Sequence, residues 1–83
     1  MPSAFVLVNT QLEAKRKVLE ALRSIEEVEE AHLVRGVYDI IVRVRAETID
    51  RLREIVTWNI KRLSKVKLAM VLSFSGELME RMT

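Results

Sequence analysis

The chain has no cysteine, one proline and one histidine in 83 residues. Without cysteine there is no disulfide framework, no thiolate nucleophile and no zinc–thiolate site. His32 by itself falls short of the several matched ligands that a metal centre needs. It is expected in a structural or surface position, and neither a metal nor another cofactor is expected. Long apolar runs are also lacking. No run exceeds five residues, the length of Ala4 to Val8, too short to cross a bilayer. The start, Met1-Pro2-Ser3-Ala4, has no charged segment ahead of a long apolar one, so no signal peptide is read and the expected compartment is the cytoplasm. Neither sign of charge dominates, since 14 Lys+Arg stand against 12 Asp+Glu for a net +2. Bases are interleaved with acids at almost every turn. That speaks against a nucleic-acid arm and direct nucleic-acid contact. High charge with a single Gln and few Asn fits a thermophile's composition. No linker or low-complexity stretch divides the chain, so residues 1–83 read as one domain. A domain this short buries only roughly 60–65% of its unfolded surface, and self-association is a common supplement.

What is present alternates between strand and helix patterns. Ala4-Phe5-Val6-Leu7-Val8 is apolar without alternation, the pattern of a strand buried on both faces. Thr10-Gln11-Leu12-Glu13 has the form of a capping box opening a helix that runs to about Ser24. Its stripe is Ala14, Val18, Leu22 and Ile25, with Glu13 and Lys17 as an i,i+4 pair on the wet side. A strand over about Glu29 to Arg35 leads to a turn at Gly36-Val37, where glycine supplies the positive φ. In the next strand, Tyr38 to Arg45, the residues Ile40, Val42 and Val44 alternate with Asp39, Ile41, Arg43 and Arg45. A second helix starts after the N-cap Thr48, with Asp50 near its positive end. Ile49, Leu52, Val56, Ile60 and Leu63 form its core stripe. The last strand, Val66 to Phe74, sets Val66, Leu68, Met70, Leu72 and Phe74 on one face, and Gly76 ends it. Glu77 to Thr83 reads as a frayed helical turn using Leu78, Met79 and Met82.

The order β-α-β-β-α-β, with right-handed units, predicts an α+β fold of ferredoxin-like type. It is a four-stranded antiparallel sheet with both helices on one face. Val6 or its neighbours, Ile41 and Val71 are expected to point away from the helices. A bare apolar sheet face is a liability in a monomer. Covering it with a second copy in a two-fold dimer, a dimeric α+β barrel, is the simplest solution.

The segment Ile25 to Ala31 leads into His32-Leu33-Val34-Arg35-Gly36-Val37-Tyr38-Asp39, followed by the aliphatic strand Ile40 to Val44 and by Ala46-Glu47-Thr48. With Leu52 to Val56 and Ile60 to Val66, this resembles the C-terminal domain of the Lrp/AsnC transcription regulators, whose Gly-x-Tyr-Asp hairpin precedes an aliphatic strand. The resemblance covers nearly the whole chain. Because the chain begins at the first strand, it implies a stand-alone effector-binding domain without a helix-turn-helix. It further implies a non-enzymatic cytosolic dimer that assembles into rings of dimers, binds free amino acids at contacts between dimers, and joins full-length Lrp/AsnC regulators as partners. In such a site, Asp39 would accept from the ligand's ammonium. Backbone N–H groups at Gly36 and Val37 would hold its carboxylate, with Tyr38 as a packing wall. The family places hydroxyls early in the fourth strand. Here that stretch reads Lys67-Leu68-Ala69-Met70, which leaves Ala69 as the lining residue and points either to altered specificity or to lost binding.

Each of these residues also has a plainer reading. The hairpin can be only a hairpin, with Asp39 stabilising the turn. Arg43 and Arg45 share the helix-free face with Ile41 and read as salt-bridging or snorkelling residues at the dimer face. At 100° per residue, Trp58 falls opposite Leu52, Val56 and Leu63. It is therefore expected to be exposed, and Trp58, Ile55 and Arg62 form a candidate assembly contact. Two other functions stay open. One is a small dimeric α+β barrel enzyme of the monooxygenase or isomerase type, for which only His32 and Asp39 are available. The other is a ligand-free assembly partner of regulators.

Overall fold

A computed structural model describes residues 1–73 of the chain, with Ser73 described by its backbone only. The readings for Phe74, Gly76 and residues 77–83 lie outside the described residues.

Four strands, β1 (Ser3–Thr10), β2 (Val28–Leu33), β3 (Ile40–Arg45) and β4 (Val66–Ser73), form one antiparallel sheet in the order β2-β3-β1-β4. Helix α1 (Lys15–Arg23) joins β1 to β2. Helix α2 (Ile49–Glu54) follows β3 and continues as a π-helical segment, Ile55–Ile60. This is the predicted ferredoxin-like order. A single core lies between the helices and one face of the sheet. Val18, Leu19 and Leu22 of α1 and Leu52, Ile55, Val56 and Ile60 of the second helix pack on Val6, Val8, Ile40, Val42 and Val44.

The expectation for β1 is corrected. The strand alternates, with Ala4, Val6, Val8 and Thr10 buried and Ser3, Phe5, Leu7 and Asn9 only partly so. Val6 lies opposite Val42 and Val71, so Val6 and Val71 share the helix side of the sheet, not the bare side. The bare side belongs to Phe5, Leu7, Ile41, Arg43, Leu68, Met70 and Leu72, as the pairs Leu7↔Ile41, Leu7↔Met70 and Phe5↔Leu72 require. Val66 leaves that row. The register slips between Asn9 and Thr10, so that Thr10 meets Val66 while Asn9 meets Leu68. Such a bulge shifts the following side chain to the opposite face.

The capping box is also corrected. Thr10 is the last residue of β1, and α1 begins at Lys15 without a side-chain cap. Glu13 sits at φ 65 in the intervening turn, which ends its part in any helical pair with Lys17. At the other end of α1, Arg23 donates to the Ala31 carbonyl at 2.8 and 3.0 Å and ties the helix to β2. The cap on α2 is as predicted. Thr48 Oγ1 accepts from the Arg51 N–H at 3.0 Å, a contact worth about 1 kcal/mol.

The π-helical segment decides the fate of Ile55. Lys61 N–H donates to Val56 carbonyl at 2.8 Å, an i→i−5 bond. Positions five apart sit about 140° apart around an α-helix, yet Ile55 and Ile60 are both fully buried here. The wider turn stacks them. Ile55 is therefore a core residue, and its place in an assembly contact is withdrawn.

Candidate functional site

The hairpin between β2 and β3 closes through the Val34 N–H, which donates to the Asp39 carbonyl at 2.9 Å. Gly36 takes φ 121, a conformation L side chains rarely adopt. A Cβ there would meet nothing within 4 Å, so the glycine is needed for its backbone and not for space. Val37 is 82% exposed at the tip. Tyr38 is half-buried, and its hydroxyl points to the Met70 sulfur at 3.6 Å. Its ring thus reaches over β1 on the helix-free side.

Asp39 is the most connected residue of the hairpin. Its N–H donates to the Val8 carbonyl at 3.0 Å and to Asn9 Oδ1 at 3.1 Å. Its Oδ2 accepts from the Thr10 N–H at 2.9 Å, with the Thr10 hydroxyl at 3.4 Å. Its Oδ1 lies 3.6 Å from Lys15 Nζ. The carboxylate fastens the hairpin to the end of β1 and the start of α1. Thr10 is buried, and a buried backbone donor needs such an acceptor. The sequence points to Asp39, but it does not point to Thr10 and Lys15 as its partners, because locally they read as a helix cap and a surface residue.

Gly36, Val37, Tyr38 and Asp39 therefore come together. Ala69 does not join them. It is buried opposite Val8 on the helix side, whereas Tyr38 meets Met70 on the other face. Met70 is the strand-4 residue at the hairpin. Ala69 instead floors a separate cleft of about 280 Å³ with Lys61, Val66, Lys67 and Leu68.

On the helix-free face, Arg43 Nε is 3.1 Å from Glu29 Oε1, an ion-pair distance without hydrogen-bond alignment. Its Nη2 is 3.1 Å from Glu30 Oε2, and Arg45 Nη1 is 3.3 Å from Glu29 Oε2. Both arginines salt-bridge, as expected. His32 is exposed beside Glu30 at 3.1 Å. The bond from His32, then the charge of Arg43, holds the Glu30 carboxyl below its usual range. Glu27 is held low in the same way by Arg51, whose guanidinium donates to it at 2.9 Å. That pair lines an open cleft of about 590 Å³ with Glu26, Glu47 and Arg45. Among the described residues no group of three or more His, Asp or Glu could hold a metal ion, and no helix is long and apolar enough to cross a membrane.

Trp58 is 59% exposed, and the Arg62 guanidinium stacks 4.5 Å from its ring centroid, a cation–π pair. The charge around this pair is a feature that the interleaving of acids and bases elsewhere conceals. From Ile55 to Gly76 the chain has no Asp or Glu, yet it carries Lys61, Arg62, Lys65 and Lys67. A count of acids in windows finds this run.

The family model for the Lrp/AsnC ligand-binding domain matches residues 3–75. Among solved structures, FFRP-DM1 is 33% identical with a TM-score of 0.85, covering 88% of this chain and 97% of that one. TTHA0845 from Thermus thermophilus is 30% identical with a TM-score of 0.84, covering 88% and 91%. The AsnC protein of E. coli is 23% identical with a TM-score of 0.81, and the match covers 87% of this chain but 49% of that one. No curated protein matches the chain. The family model spans most of the sequence, and the chain belongs to the Lrp/AsnC ligand-binding domain family.

Proposed function

We propose that this domain is a non-enzymatic, cytoplasmic, self-associating module of transcription regulation that takes a free amino acid at the Gly36–Asp39 hairpin. The observation that carries the reading is the helix-free face of the sheet. Leu68, Met70 and Leu72 are exposed there beside half-buried Phe5, Leu7 and Ile41. A contiguous apolar face of this kind marks an interaction site, and a second copy with the same face would cover it isologously. Arg43 and Arg45 do not oppose this, because Glu29 and Glu30 neutralise them within the chain. Dimers would join further through Trp58 and Arg62 and through the hairpins, and full-length regulators of the family are further partners.

Asp39 already accepts from Thr10 and faces Lys15, so the exposed backbone at Gly36 and Val37 and the ring of Tyr38 carry more of the recognition. Sedimentation of the purified chain tests the assembly. The wild type is expected as a dimer or larger, and Met70→Asp as a monomer with native circular dichroism. A wild type that remains monomeric at a hundred micromolar would overturn the reading. Thermal unfolding with each of the twenty amino acids then tests the ligand. A ligand at a hundred times its Kd stabilises the fold by about 2.7 kcal/mol, and no shift with any of them would reduce the module to assembly alone.

A further inference from the structure

We infer that the end of the domain around Trp58 and Arg62 binds single-stranded nucleic acid without regard to sequence, with Trp58 stacking on a base and the lysines and arginines of that end answering the phosphates. The inference goes beyond the amino-acid reading and does not rest on it.

Chain topology gathers the charge. Residues 61–67 include Lys61, Arg62, Lys65 and Lys67 and no acid. The Lys65 carbonyl accepts from the Gln11 N–H at 2.8 Å, and Thr10 pairs with Val66, so this segment runs beside the turn that leads into α1. That helix opens on Lys15, Arg16 and Lys17, all exposed. Glu13 is the one acid within residues 11–17, and Asp39 faces Lys15 at 3.6 Å. Arg16, Lys17, Lys61, Arg62, Lys65 and Lys67 meet no carboxylate among the described residues. Acids gather at the opposite end of the sheet, where Ser3 pairs with Arg45 and Glu26, Glu27, Glu29 and Glu47 line the open cleft. The net charge of +2 thus hides an unbalanced basic end, and the interleaving that speaks against nucleic acid fails there. Clustered cations of this kind attract a phosphate backbone.

Trp58 decides the class of partner. Its indole is 59% exposed with the Arg62 guanidinium stacked 4.5 Å from the ring centroid. Aromatic rings and guanidinium planes both stack on unpaired bases. A duplex keeps its base faces inside its own stack and offers this ring nothing. A bilayer needs an apolar face to bury, and Trp58 has no such company in its own segment. Thr57 and Asn59 are its exposed neighbours, whereas Ile55, Val56 and Ile60 are buried. An acidic peptide answers the cations but leaves the indole unused.

Trp58 is the sole tryptophan, so its emission reports stacking directly. Oligothymidylate of about twelve nucleotides, within the span such surfaces cover, is expected to quench it saturably, with a Kd below about 100 µM in about 50 mM salt. The logarithm of affinity is expected to fall with that of salt by about 0.7 per phosphate contacted. Lys61→Gln with Lys67→Gln is expected to make that slope shallower by about 1.4. Trp58→Leu, followed by anisotropy of a labelled oligonucleotide, is expected to lose at least about fivefold in affinity and keep the slope. Arg53→Gln, the same change of charge earlier in α2, is expected to alter nothing. Circular dichroism checks the fold of each variant. The lysine variant lies outside the Trp58–Arg62 contact offered above for assembly, so it keeps the test decisive if sedimentation shows that Trp58→Leu changes the assembly. No quenching, a duplex of equal length bound as tightly, phosphatidylserine vesicles bound in place of the oligonucleotide, or an unchanged slope in the lysine variant would each overturn the assignment.

Discussion

Replacing Asp39 by alanine is expected to destabilise the domain by about 2–3 kcal/mol. The substitution removes the acceptor for the Thr10 N–H at 2.9 Å. Thr10 is only 7% exposed, so water reaches the abandoned donor poorly, and an unsatisfied buried donor costs about 1–3 kcal/mol. The hydroxyl contact at 3.4 Å adds little. The Lys15 pair adds little as well, because Lys15 is more than half exposed and such pairs are worth about 0–1 kcal/mol. For a domain of this size, the sum lowers Tm by roughly 10–20 °C. Asp39→Asn keeps an oxygen for Thr10 and loses only the charge, so its cost is expected to stay below about 1 kcal/mol. Urea unfolding of the three proteins at one protomer concentration measures this, since association shifts apparent stability. If Asp39→Ala unfolds within about 0.5 kcal/mol of the wild type, the carboxylate does not hold the hairpin and is free for a ligand. The asparagine variant is for the same reason the better probe of ligand binding, because the alanine variant confuses loss of a ligand contact with a loosened fold.

Ile55→Ala is expected to cost about 2–5 kcal/mol as a cavity in the core, whereas Trp58→Ala costs under about 1 kcal/mol in the isolated chain. Equal, small costs in urea unfolding would contradict the phase imposed by the π-helical segment. The Glu27 carboxyl is held below its ordinary value of 4.5 by Arg51. Its charged form is favoured in the fold, so its contribution is complete above the unfolded value and is lost as pH falls through the lower folded value. Glu27→Gln is expected to flatten the decline of stability with acid below about pH 4.5, read from urea midpoints on going from neutral to acid solution. An unaltered slope would show that the pair with Arg51 contributes nothing to folding.

Local patterns carried most of the fold. The alternation of Ile40, Val42 and Val44, the cap at Thr48 and the glycine turn at Gly36 each depend on neighbours in sequence. The stripe Val18–Leu22 depends on helical period alone. The resemblance carried by Gly36-Val37-Tyr38-Asp39 points to the right family because that pattern stands between two correctly spaced strands.

Other features had no local signal. Thr10 to Glu13 satisfies the pattern of a capping box, yet β1 extends through Thr10 because Asp39, 29 residues away, supplies a partner for its N–H. Val6 and Val71 went to the helix side, and Ala69 away from the hairpin, because the pairing of β4 with β1 sets Val71 opposite Val6 and Ala69 opposite Val8, a register fixed between two distant segments. The periodicity of this sequence determined most of its elements and their order, and the resemblance carried by its hairpin motif pointed to the family. The tertiary structure decided which face each strand shows and which groups its charged side chains meet, because a pleated strand inverts its faces with one residue of slip and a carboxylate is satisfied by whichever donors the fold brings to it.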